Sequence, residues 1–121
     1  MENSKTNLKT EFGKIIAGNK TYSYDIIIDV GGEIRKRSNI SEKLYGTHHV
    51  ICTEEIKELT EKKPEVIIIG LGQYNSCRLE PGVERECSKN NIKLVAEATP
   101  KAVEIFNTTK ERKAGLFHVT C

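Results

Sequence analysis

Tryptophan is absent from this chain of 121 residues, and only 6% of its residues are aromatic. Few flat side chains are therefore available for stacking on bases. A surplus of charge is missing too: 19 Lys and Arg stand against 17 Asp and Glu, a formal net charge of +2. That is too little for a surface built to hold a polyanion, and no nucleic-acid partner is expected. No apolar run approaches the roughly 20 residues of a membrane-crossing helix, so no membrane partner is expected either. Cys52, Cys77, Cys87 and Cys121 form no C-x-x-C pair. That argues against a zinc ribbon or a redox dithiol, and neither a metal nor a cofactor is expected.

What is present points to one α/β domain. A chain of this length buries roughly two thirds of its unfolded surface and needs no disulfides, so its thiols are expected to be reduced, in the cytoplasm. The polar stretch Met1–Thr10 reads as a flexible tail with no apolar signal segment, leaving residues 11–121 as the domain. The sequons at Asn19, Asn39 and Asn107 are then expected to be unused. Phe12–Ala17, Lys20–Ile28 and Glu33–Arg37, separated by Gly18-Asn19 and Gly31-Gly32, read as a β-meander. Alternation within Arg35-Lys36-Arg37 puts the two arginines on one solvated face.

The character changes after Arg37. Ser38–Gly46 is polar and irregular, with room for a short turn of helix, and His49-Val50-Ile51 is a short strand. Thr53 can cap a helix that Pro64 ends. Val66-Ile67-Ile68-Ile69 reads as a strand covered on both faces, the usual state of a parallel strand between helix layers. Gln73–Glu80 is a loop, and Pro81 opens a helix running to Asn90-Asn91. Ile92–Ala96 is a strand, Thr99-Pro100 a helix start, and Ala114–Val119 a last strand of undetermined direction. The expected fold is α/β: a three-layer sandwich with a mixed central sheet, helices on both faces and an N-terminal β-meander.

Three connections, Cys52-Thr53, Gly70–Arg78 and Glu97–Thr99, are expected to meet along the carboxyl edge of the parallel strands, where ligands of open α/β sheets bind. One reading is a small anionic ligand held by Gly70, Gly72, Gln73, Arg78 and Thr99. The blander reading is a glycine turn, two helix caps and a surface arginine. Gly70-Leu71-Gly72 lacks the third glycine of a dinucleotide fingerprint, and no Gly-Lys-Ser/Thr of a P-loop is present. His49 is either a functional histidine or one that pins its loop, and its neighbour His48 points to the opposite face. His118 reads as a core histidine, or as half of a thiol–imidazole pair with Cys121.

Further matches run nearly end to end: Phe12-Gly13-Lys14-Ile15, Tyr22 with Asp25-Ile26, Gly32 ahead of Arg35-Lys36-Arg37, Tyr45-Gly46-Thr47-His48-His49, Gly70-Leu71-Gly72, Thr99-Pro100-Lys101-Ala102, Phe106-Asn107 and His118-Val119-Thr120-Cys121. On these the chain resembles the small-domain family shared by the adipogenesis-associated protein and the mitochondrial complex I assembly factor three, with archaeal and bacterial relatives. His48 stands where a small residue is expected, and Phe106 where tyrosine is frequent. The resemblance implies a three-layer α/β fold with an added β layer, and no established enzyme. Some eukaryotic relatives act as assembly or regulatory proteins. The expected function is a non-enzymatic binding or assembly module with a protein partner and, at most, a small anionic ligand. The alternative is a small enzyme acting on an anionic metabolite at the Gly70–Arg78 loop.

Overall fold

The structure, a computed structural model, describes residues 7–121. Its centre is the isoleucine-rich strand. In chain order the elements are β1 (Leu8–Glu11), β2 (Lys14–Ala17), β3 (Lys20–Tyr22), β4 (Ile26–Ile28), β5 (Ile34–Lys36), α1 (Ile40–Tyr45), β6 (Val50–Ile51), α2 (Thr53–Thr60), β7 (Val66–Leu71), β8 (Arg78–Leu79), α3 (Pro81–Lys89), β9 (Lys93–Glu97), α4 (Thr99–Thr108) and β10 (Lys113–His118). The main sheet has the order β5-β4-β10-β7-β9. β7 is parallel to both of its neighbours, and β10 is parallel to β7 but antiparallel to β4, so the sheet is mixed.

Each face of β7 is covered. Val66 and Ile68 pack with Phe117, Ala102, Val103 and Phe106, on the side of α4. Ile67 and Ile69 pack with Ile56, Leu59, Val83 and Cys87, on the side of α2 and α3. An unbroken β-branched run is the composition such a doubly covered strand requires. β1, β2 and β3 form a separate antiparallel sheet, whose Leu8, Ile15 and Ala17 join the α4-side core. The expected layered fold with an N-terminal meander is therefore the observed one.

Four local expectations are corrected. Residues 1–6 of the expected tail lie outside the described residues, but Leu8–Glu11 is a strand, and Leu8 is only 2% exposed. Its backbone is clamped to α4 by Asn107, at 2.8 and 3.0 Å. Lys20–Ile28 is not one strand: it breaks at Ser23–Asp25 and contributes β3 and β4 to different sheets. β6 lies outside the main sheet, paired in parallel with β8 inside the expected loop. The cap positions of α2 and α4 are Cys52 and Ala98, one residue before the expected Thr53 and Thr99. The Thr53 N–H donates to Glu80 Oε1 at 2.7 Å, and the Thr99 hydroxyl bonds elsewhere, as described below.

Candidate functional site

The break between β3 and β4 carries Asp25 to the carboxyl end of β10. There its Oδ2 meets Nδ1 of His118 at 2.7 Å, and its Oδ1 accepts the Val119 N–H at 2.8 Å. Arg37, expected on a solvated face, is instead 5% exposed. β5 ends at Lys36, so strand alternation no longer governs the next side chain. All five guanidinium N–H groups of Arg37 are used: a fork onto Glu55 (2.7 and 2.9 Å), Asp25 Oδ2 (2.8 Å), and the carbonyls of His48 (2.8 Å) and Val50 (2.7 Å). Glu55 in turn accepts the Cys52 N–H at 3.0 Å, which fastens α2 to the same network.

These contacts fix the charges. Burial pushes the Asp25 carboxyl up, but hydrogen bonding and attraction from His118, the Val119 N–H and Arg37 together hold it below its ordinary value. Burial likewise disfavours the Arg37 cation, and Glu55 and Asp25 more than restore it. An ionised Asp25 can only accept, so Nδ1 of His118 carries the proton. The other ring nitrogen, Nε2, lies 3.1 Å from Thr120 Oγ1. His49 packs edge-on against His118, with ring centroids 5.0 Å apart. In front of this group opens a cleft of about 530 Å³, on whose walls all three histidines of the chain stand.

The expected anion loop is a different arrangement. Thr99 ties α4 to two strands: its hydroxyl donates to the His118 carbonyl at 2.6 Å and accepts the Gly72 N–H at 2.9 Å. Gly70 and Gly72 are required by close approach, since a Cβ on them would sit 2.7 Å from Thr99 Oγ1 and 2.2 Å from the Cys121 backbone. Gln73 N–H donates to the Thr120 carbonyl, and the Tyr74 and Ser76 N–H groups to that of Cys121. Gly70, Gly72, Gln73 and Thr99 are thus brought together, with the chain's own segment 118–121 in the place expected for an anion. Arg78 does not join them; it lies on β8 with an exposed side chain. His118 faces Asp25 and Thr120 with its two nitrogens, and no hydrogen bond among the described residues links it to the Cys121 thiol. Of the three connections, Cys52-Thr53 reaches the cleft only through Glu55 and Arg37.

Asp25, Arg37, Glu55 and Thr120 are the functional candidates that sequence reasoning passed over. A carboxylate directly before three isoleucines, and a histidine between Phe117 and Val119, were the available signals: each is a charged or polar group forced next to a core strand.

The fold and cleft define a small three-layer α/β protein with a histidine-walled cavity at the carboxyl edge of a mixed sheet. The chain belongs to the family described as protein of unknown function DUF498/DUF598, which it matches over residues 8–117. The resemblance read from its motifs is borne out. It is similar to conserved hypothetical protein PH1505 from Pyrococcus horikoshii OT3, with 27% identity over 97% of this chain and 99% of that one and a TM-score of 0.86. A protein called MT938 is 30% identical over 97% of this chain and 100% of its own, with a TM-score of 0.80. A structure described as an outer membrane protein from Bartonella henselae, 19% identical over 100% of both chains with a TM-score of 0.79, shares the fold. Among the described residues no helix is long and apolar enough to cross a membrane.

Proposed function

We propose that this protein is a binding or assembly module of the cytoplasm, and that its histidine-walled cleft receives a small anionic ligand. One observation carries the reading: the cleft wall presents the Lys36 ammonium, with no carboxylate partner among the described residues, beside hydroxyl and amide donors. Ser23, Asn39 and Lys36 stand on its walls, and none makes a side-chain hydrogen bond among the described residues; Lys36 Nζ rests only over the Tyr24 ring, 5.2 Å from its centroid. Of the acidic groups there, Asp25 is engaged as above, and Glu42 Oε1 lies 3.4 Å from His48 Nε2, a contact that pairs charges only when that ring is protonated. Such a wall suits a ligand that brings acceptors of its own, an oxyanion.

A protein partner has separate support. Phe12 and Tyr74 are 55% and 73% exposed, and their rings meet at a tilt of 35° with centroids 5.8 Å apart. Exposed paired aromatics are common at contact surfaces. Four free cysteines, three of them buried, agree with a reducing compartment. The alternative of an enzyme at the Gly70–Arg78 loop has less support, because the N–H groups of Gly72, Gln73, Tyr74 and Ser76 already donate within the chain.

The test is a titration with acetate, inorganic phosphate and citrate, followed by amide and imidazole NMR shifts. Saturable shifts at Ser23–Asp25, Lys36 and His49 are expected, weakened several-fold by Lys36→Ala. No saturable shift at the cleft, or shifts centred on Gly70–Arg78 instead, would overturn the proposal.

A further inference from the structure

Binding alone does not require the line of three polar groups on the cleft wall. The Asp25 carboxylate accepts from Nδ1 of His118 at 2.7 Å, so that whenever the ring is neutral its lone pair is on Nε2. That lone pair faces Thr120 Oγ1 at 3.1 Å, so the hydroxyl is the donor. The ring is held in this setting from several sides. Its side chain is 2% exposed, His49 packs against its edge, and its backbone lies in the ladder opposite Leu71. Asp25 is itself locked by Arg37 and the Val119 N–H. Thr120 is half-buried, and its residue and the His118 ring both line the cleft. A hydroxyl hydrogen-bonded to a base that a third group orients is the arrangement of nucleophilic acyl transfer.

We propose that Thr120 is an acyl-accepting nucleophile, with His118 as its general base and Asp25 as the positioning residue, and that the substrate class is a small carboxylic ester or thioester. This rests on the reading that the cleft binds a ligand. His118 Nε2 takes the Thr120 hydroxyl proton as Oγ1 bonds to the acyl carbon. The bond from that carbon to the leaving oxygen or sulfur breaks, and the leaving atom receives the proton from His118. Water, deprotonated by the same nitrogen, then attacks the acyl-threonine. Carboxylic acid is released, and the proton returns to Thr120. The net reaction is ester plus water to acid plus alcohol or thiol. Lys36 and Asn39 on the cleft wall are the donors available to the carbonyl oxygen as it gains charge.

The experiment uses p-nitrophenyl acetate on the full chain, with nitrophenolate release followed by absorbance and the quenched protein mapped by mass spectrometry. The expected result is a burst of release and one acetyl group on Thr120. Thr120→Val should slow release by about 100-fold or more, and Thr120→Ser should retain it. Acetylation scattered over lysines, with release unchanged in Thr120→Val, would overturn the proposal. The mapping in the unaltered protein needs no variant, which covers the case of His118→Ala failing to fold. Acetate binding by NMR separates the two readings. Saturable binding without a Thr120 adduct removes only the acyl-transfer proposal, whereas no binding and no adduct removes both.

Discussion

Arg37 is the residue with most to lose. It is the cation shared by the buried Glu55 and the half-buried Asp25, and its removal takes that counter-charge from both. Arg37→Met should therefore destabilise the fold by about 3–5 kcal/mol, read as a lowered urea midpoint. Lysine cannot reproduce the fork onto Glu55, so Arg37→Lys should recover only part of the loss. Glu80 contributes to the acid limb. It accepts from the Tyr45 hydroxyl and from the Thr53 N–H, and these bonds depress its carboxyl from 4.5 to about 2. A depressed folded value means the contribution is complete above the unfolded value and is lost as pH falls through the folded one. Thermal midpoints should fall between pH 4.5 and about 2, and more gently in Glu80→Gln. Asp25, also lowered, adds to the same limb in both proteins. Neither Arg37 nor Glu80 was legible as an anchor in the sequence, because a charge run and a helix-start glutamate look alike whether solvated or buried.

Among the elements, α4, β7 and β10 are joined by Thr99 and by the close passage of Gly72 past Cys121. Gly72 has φ +102, outside the range of ordinary side chains, and its Cβ would strike backbone, which cannot swing aside. Gly72→Ala should lower stability by about 1–3 kcal/mol or more, measured by chemical denaturation, and should disturb the Thr120 resonances first. The helix starts shifted by one residue for a related reason. Glu55 and Glu80 satisfy the backbone at the head of α2, so Thr53 is not needed as the cap. The threonine-proline pair did announce a helix, but the destination of the Thr99 hydroxyl depends on two strands remote in sequence.

At the scale of the whole molecule, protection should follow the layers. β7 and β10 have paired neighbours on both sides and helices or the meander over each face, whereas β6 and β8 form only a two-residue pair at the side. Native-state hydrogen exchange should therefore show Ile67–Ile69 and Leu116–Phe117 opening only with global unfolding, and Val50–Ile51 opening earlier. Ile68→Ala, in the middle of one core, should cost about 2–5 kcal/mol.

The isoleucine run, the glycines after it and the alternation of strand with helix were determined by the sequence alone, because local pattern and turn chemistry act over a few residues. The layered fold and the place of β7 inside it followed from them. The direction of β10, the strand made by Leu8, the burial of Arg37 and the meeting of Asp25 with His118 and Thr120 were decided only by the tertiary structure. These features bring together groups up to 99 residues apart, as Leu8 and Asn107 are, and no local propensity encodes which distant partner will neutralise a charge.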